Sequence, residues 1–201
     1  MGSKYGVFRG FLVVAVFVAS PGAAPGASCP PDSARVGTVC VDRYEASIWQ
    51  IDSARKSLLR KVQDGKATLA DLQAGGATEI NANELSGDEI VPFPGNFPHD
   101  GNWTPLPGSN PPTPGLYAVS IAGVPPSLAS WFQAAQVCAL SGKRLLTNHE
   151  WQVAAAGTPE SVDDDGATTC STVPDYYDTG SRSKCVSSWG IHDMQGGVNE
   201  W

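Results

Sequence analysis

The chain opens on an apolar segment that differs from everything after it. Residues 11–19, FLVVAVFVA, form an unbroken apolar run after the cations Lys4 and Arg9, and small residues and prolines continue to residue 28. This order is typical of a secretory signal peptide. The run is too short for a membrane-spanning helix, which needs about 20 residues. We therefore predict a signal peptide over residues 1–28, with a buried N-terminal strand or helix as the alternative.

The next part of the chain changes from a strand-like to a helical pattern. Residues 29–50 hold β-forming valines on both sides of a Gly-Thr turn, which predicts a strand, a turn and a second strand. Residues 52–74 place leucines and a valine at helical spacing, with Asp52 or Ser53 as the N-cap. Gly65 interrupts this spacing, so we predict two short helical segments.

A stretch rich in Pro, Gly and Asn lies in the middle of the chain. Residues 91–116 show no hydrophobic period and form a predicted loop that is long for a compact domain. Such a loop is either functional or an insertion. Residues 116–124, LYAVSIAGV, follow it and have the composition of a strand.

The clearest local pattern predicts a helix, a short extended link and a second helix over residues 130–156. Thr147 and Glu150 have the spacing of a capping box, which marks the start of the second helix. Ser130 can cap the first helix, whose apolar side is formed by Trp131, Ala134, Ala135 and Cys138. After the second helix, residues 157–178 predict a polar loop in which the acidic run at 163–165 is solvated.

Composition narrows the class of protein. Of 201 residues, 41% are apolar and only 16% are charged, with 22 glycines and 16 prolines that follow no repeat. This excludes a fibrous protein, a coiled coil and a wholly disordered chain, and it favours a loop-rich domain. The net charge of −7 argues against a nucleic-acid partner held through its phosphates.

If the chain is exported, its five cysteines can form disulfides, because extracellular and periplasmic compartments are oxidising. Cys29 and Cys40 would close one short loop, and Cys170 and Cys185 would close another. Cys138 lies in a helical pattern, where a buried free thiol is expected. Cysteine pairs at zinc-site spacing are missing from the sequence. A lipid anchor on Cys29 is the alternative to the first disulfide.

The sequence contains little evidence of other catalytic sites. The chain has no phosphate-binding glycine loop and no nucleophile elbow. We expect His149 to be exposed on the first turn of a helix, while His99 lies in the long loop and His192 near the end of the chain. The six tryptophans predict core packing, with a sugar or peptide groove as the alternative.

Three motifs resemble the formylglycine-generating enzyme family, also called the sulfatase-modifying factor family. They are the entry strand CVDRYEA at 40–46, the run from SWFQA through GKRLLT to EWQVAA at 130–155, and SWGIHDMQGGVNEW at 188–201. Their order covers most of residues 29–201. The last motif departs from the family pattern, because Gly197 replaces an Asn and Asn199 replaces a Trp. In the second motif, Leu146 replaces a Pro.

The resemblance implies an α+β fold related to C-type lectins, with few helices, short strands and many loops. It also implies a parent activity, in which copper and oxygen convert a sulfatase cysteine to formylglycine. The family holds the copper with two cysteines beyond the last motif, and the chain stops at Trp201 inside that motif. We therefore expect an incomplete domain in which none of the five cysteines has the copper-binding role.

The resemblance also implies a calcium site in the last motif. The matching ligands are the side chains of Asp193 and Glu200 and the backbone carbonyls of Gly196 and Val198. Calcium binds six to eight hard oxygens, and glycines permit the backbone angles that turn carbonyls inward. The alternative is a terminal loop with solvated acids.

Two functions from different classes follow from these observations. The first is a non-catalytic binding or structural module that holds a structural calcium ion and binds a protein or a glycan. The second is the leading part of a copper-dependent oxidase that acts on a sulfatase peptide and whose cysteines lie downstream. Both predict an exported protein, periplasmic or extracellular, without a membrane span or a nucleic-acid partner.

Overall fold

The computed structural model describes residues 12–13, 16–18, 28–80, 115–127, 131–160, 164–171, 177–196 and 199–200. Nine strands and four helices lie in this part of the chain. The strands are Leu12–Val13 (β1), Val16–Val18 (β2), Ser33–Val36 (β3), Val39–Asp42 (β4), Ala46–Ile51 (β5), Thr78–Ile80 (β6), Gly115–Ser120 (β7), Arg144–Leu145 (β8) and Asn199–Glu200 (β9). The helices are Lys56–Gln63 (α1), Leu69–Ala74 (α2), Trp131–Leu140 (α3) and Asn148–Ala154 (α4). Few helices and short strands confirm the α+β prediction.

The centre of the fold is an antiparallel sheet in the order β6-β5-β7. Strand β5 lies between the other two and is buried along most of its length, which its apolar sequence ASIWQI favours. The sequence pattern did not predict β5 as a separate strand. It predicted β7 over 116–124, whereas the strand begins at Gly115 and ends at Ser120. Most of the predicted loop at 91–116 lies outside the described residues.

Two helices pack against this sheet and confirm the prediction of two short helical segments. Leu58, Val62 and Leu72 are buried in one cluster with Trp49 and Val119 of the sheet. The predicted N-cap of α1 is wrong, because Arg55 occupies that position. The Asp52 carboxylate instead accepts a hydrogen bond from the Ala54 backbone at 2.8 Å, which closes a turn before the helix begins.

The second large sheet has the order β3-β4-β2-β8. Strands β3 and β4 form the predicted hairpin, in which Ser33 pairs with Asp42 and Val36 pairs with Val39. Strand β2 lies between β4 and β8, although it belongs to the predicted signal peptide. Cleavage of that peptide, which stays a prediction, would remove both β2 and β1, the partner of β9.

Helices α3 and α4 confirm the helix–link–helix prediction. The Thr147 hydroxyl accepts from the Glu150 N–H, and the Glu150 carboxylate accepts from the Thr147 N–H at 2.9 Å, so the predicted capping box forms. In α3, Ala134 and Cys138 are buried as predicted. The prediction for Trp131 is wrong: its side chain is 47% exposed, because it lies in the first turn beyond the edge of the core.

Candidate functional site

Asp193 is the most unusual of the predicted site residues. Its side chain is fully buried, and its φ of 59° is the only positive φ outside glycine among the described residues. Its Oδ2 atom accepts a hydrogen bond from the Gly180 N–H at 2.6 Å. No described residue donates to Oδ1, which is also shielded from solvent. A buried carboxylate oxygen without a donor is costly, so this geometry favours a cation or a proton.

The groups around Asp193 neutralise the negative charge of its carboxylate only in part. Burial raises the pKa of Asp193 to about 6, although the Gly180 N–H and the charge of Arg182 act in the opposite direction. The Arg182 guanidinium is itself engaged, because it donates to the Asp164 carboxylate at 2.9 Å and to the Thr169 carbonyl at 2.9 Å. Above a pH of about 6 the Asp193 carboxylate is ionised and only partly compensated, and this state suits a hard cation such as calcium.

The other predicted calcium ligands are only partly placed. Gly196 has a φ of 82°, and its backbone passes so close to Ser171 that a side chain would collide with the Ser171 carbonyl. Val198 and the side chain of Glu200 lie outside the described residues. Asp193 and Gly196 thus share one loop, while the described residues contain no group of three acidic, His or Cys side chains that could hold a metal.

A disulfide holds this loop to its neighbours. Cys170 and Cys185 are bridged, as their spacing predicted. The Asp193 N–H donates to the Cys185 carbonyl at 2.9 Å, so the bridge fixes the backbone beside the candidate site.

The neighbouring acidic run is more structured than predicted. Asp163 lies outside the described residues. Asp164 pairs with the largely buried Arg182, which corrects the expectation of a solvated run for this residue. The Asp165 carboxylate accepts from the backbone N–H groups of Ala167, Thr168 and Thr169, which fixes the turn before Cys170. Its hydrogen bond with the Thr168 hydroxyl and these backbone donors lower its pKa.

All five cysteines lie in the described part of the chain. Cys29 and Cys40 form the second disulfide, so the Cys29 sulfur is not free to carry the alternative lipid anchor. Cys138 is free, as predicted, and fully buried. Burial raises the pKa of the Cys138 thiol, and the nearby Asp42 charge raises it further. The thiolate, which is the form that binds metals and acts as a nucleophile, is therefore suppressed.

A buried ionic network, which the sequence pattern did not predict, lies beside the Cys138 thiol. The Lys143 Nζ donates to the Asp32 carboxylate at 2.7 Å and to both oxygens of Asp42 at 2.8 Å. Burial raises the pKa of Asp42 to about 7 against the opposing charge of Lys143. Burial alone would lower the pKa of Lys143, but the two carboxylates raise it, so Lys143 stays charged. Nothing in the local pattern at 142–147 marks this lysine as buried.

The described histidines do not form a catalytic group with these residues. His149 is exposed, as expected. The His192 ring stacks on Tyr44 with centroids 4.9 Å apart, and burial together with Arg43 lowers its pKa. His99 lies outside the described residues. Of the tryptophans, Trp49 packs in the core, whereas Trp131 and Trp189 are exposed, so the prediction of core packing holds for only some of them.

Comparison with known proteins identifies one family. A family model described as "sulfatase-modifying factor enzyme 1-like domain" matches residues 39–201. The match begins in β4 and includes the loop of Asp193. No curated protein and no solved structure matches the chain. No helix in the described ranges is both long enough and apolar enough to cross a membrane.

Proposed function

Because the chain belongs to the sulfatase-modifying factor enzyme 1-like family, we propose that residues 29–201 form a non-catalytic binding or structural module of that family. The observation that carries this proposal is the state of the cysteines. Four of them are bridged, and the fifth is the fully buried Cys138. The resemblance assigns copper to a pair of cysteines beyond the last motif, and these five residues do not provide such a pair, so the proposal concerns residues 29–201 alone.

Copper therefore does not fit the residues present. Soft thiolates select copper(I), whereas the buried Oδ1 atom of Asp193 is a carboxylate oxygen, which suits a hard cation. The module is proposed to be exported, because disulfides persist in oxidising compartments. The C-type-lectin-like fold belongs to the same proposal, and the loop at 91–116 is its candidate contact region for a protein or glycan.

Thiol counting tests the state of the cysteines directly. We expect the folded, non-reduced protein to present no reactive thiol to Ellman's reagent. Unfolding in guanidinium should expose one thiol, because Cys138 is then accessible, and added reductant should expose all five. The Cys138→Ser variant is the matched control and should show none before reduction. Two or more reactive thiols in the folded protein would contradict the proposal.

Calcium is the second part of the proposal. Asp193 and Glu200 would supply charged oxygens, and Gly196 and Val198 would supply backbone carbonyls. The support is the buried Asp193 Oδ1 atom, which no described residue satisfies. A bound calcium ion would neutralise this oxygen and tie the end of the chain to the loop held by the Cys170–Cys185 bridge. The calcium ion would have a structural role, because it would link the two loops.

We predict that calcium raises the melting temperature of the protein. At a concentration 100 times Kd, mass action stabilises the folded state by about 2.7 kcal/mol, which is roughly 5–10 °C for a domain of this size. Differential scanning calorimetry with calcium and with EGTA measures the shift.

Asp193→Asn should abolish this shift in melting temperature. In EGTA the variant should unfold no earlier than wild type, since the substitution removes a buried charge. The exposed Glu160→Gln is the control and should keep the shift. A shift retained by Asp193→Asn would contradict the site.

A further inference from the structure

A cationic groove lies between α1 and α2, on a part of the molecule that the proposed function does not use. Its volume is about 450 Å³, within the range of small-ligand sites. Two of the groups that line it, Arg55 and Lys56, begin α1. The full lining is Ala54, Arg55, Lys56, Ser57, Leu58, Lys61, Asp71, Ala74 and Gly75.

The charges of the groove are not balanced by the residues that the structure describes. Arg55 and Lys56 are exposed, and neither forms an ion pair with any residue that the structure describes. Lys61 is different, since its Nζ lies 2.5 Å from the Asp71 carboxylate. The Asp71 carboxylate also accepts from the backbone and hydroxyl of Thr68. The lone acid of the lining is therefore already neutralised, and two cations remain.

Nearby described acids offset this charge only in part. The Asp64 carboxylate lies 3.3 Å from the Lys66 Nζ, and the Asp52 carboxylate, which accepts from the neutral Ala54 N–H, offsets one of the two positive charges. Five of the chain's 13 cations fall between residues 55 and 66, although its net charge is −7. A local excess of positive charge in an acidic chain indicates an anionic partner at this place.

The position of Arg55 and Lys56 at the start of α1 makes their positive charges still less favourable. Helix N-termini favour acidic residues, because the backbone dipole is positive there. The first turn of α1 has no acidic residue, and no side chain within the described residues caps it. Arg55 and Lys56 thus sit where cations are least favourable. A bound anion would relieve both the repulsion between them and their interaction with the dipole.

We propose that this groove binds a small phosphate or sulfate group, with Arg55 and Lys56 as the charged contacts. The guanidinium of Arg55 can donate two parallel hydrogen bonds to such an oxyanion, and Lys56 adds a second positive charge. The Ser57 hydroxyl, which also lines the groove, is a further donor. The size of the groove suits a free anion or a small ester.

Titration with inorganic phosphate at constant ionic strength tests the proposal. Amide chemical shifts of residues 54–61 should change saturably, with Kd near or below about 1 mM, while chloride at the same ionic strength should leave them unchanged. Arg55→Gln/Lys56→Gln should weaken binding about tenfold or more, because it removes two charge-assisted contacts. Both residues are exposed, so the variant should fold. Lys66→Gln, which lies outside the lining, should bind like wild type.

Three results would overturn the proposal. The first is an equal response to chloride and phosphate, which would indicate screening of a solvated surface. The second is unchanged affinity in Arg55→Gln/Lys56→Gln. The third is co-sedimentation with phosphatidylglycerol vesicles without saturable binding of free phosphate, since this would assign the cations to a membrane surface. The calcium response and the thiol count do not depend on this groove, so failure here leaves the proposed function standing.

Discussion

Substitution of Lys143 by Met is expected to destabilise the protein by about 3–5 kcal/mol, because it leaves two buried carboxylates without their cation. The Lys143 side chain is 1% exposed, and those of Asp42 and Asp32 are 1% and 7% exposed. The network also joins distant parts of the chain. The Asp32 N–H donates to the Gly65 carbonyl at 3.2 Å, and the Arg43 N–H donates to the Asp32 carbonyl at 2.9 Å.

Urea unfolding measures this loss, and the chain offers a matched control. Lys66 pairs with Asp64 at 3.3 Å, but its side chain is 60% exposed, so Lys66→Met should cost no more than about 1 kcal/mol. Neutralising both carboxylates in Asp32→Asn/Asp42→Asn/Lys143→Met should recover part of the stability. If Lys143→Met were as stable as Lys66→Met, the network would not have the role assigned to it.

Removal of the Cys170–Cys185 bridge has the second largest expected effect. The two cysteines are 15 residues apart, and closing a loop of that length stabilises a protein by about 3 kcal/mol in the chain-entropy model. Cys170→Ala/Cys185→Ala should therefore unfold at lower urea concentration. It should also weaken the calcium response, because the Asp193 N–H is held by the Cys185 carbonyl.

The Cys29–Cys40 bridge provides the control, because its loss should affect stability without affecting the calcium response. Cys29→Ala/Cys40→Ala removes a disulfide of 11-residue separation that lies beside the hairpin of β3 and β4. Its loss should lower stability by a similar amount and leave the calcium-induced shift in melting temperature intact. An equal loss of the shift in both double variants would show that calcium reports on global stability, and the link between the bridge and the Asp193 loop would be wrong.

Local patterns in the sequence were sufficient where short-range chemistry decides the structure. The capping box of Thr147 and Glu150 and the hairpin around Gly37 each depend on residues a few positions apart. The two disulfide pairings also followed from spacing, because each bridge closes a short loop. Family resemblance added the last motif, and the match to residues 39–201 confirmed it.

Features that depend on tertiary contacts were not predictable in this way. Lys143 follows a glycine at a helix end, where a lysine is ordinarily solvated, and only the fold brings it to Asp32 and Asp42. Strand β5 was not predicted because its pairing partners on both sides, β6 and β7, lie far along the chain. For the candidate site, the family resemblance supplied Asp193 as a candidate ligand, while its buried, unsatisfied oxygen became visible only in the structure.

The central claim, that this chain is a non-catalytic member of its family, is tested most directly by an assay for formylglycine. The protein is incubated with copper, oxygen and a cysteine-containing sulfatase peptide, and the peptide is analysed by mass spectrometry beside an active enzyme of the family. We predict that the peptide cysteine remains unchanged with both wild type and Cys138→Ser. Conversion of the cysteine to an aldehyde by wild type would contradict the account, and its loss in Cys138→Ser would assign the activity to that thiol.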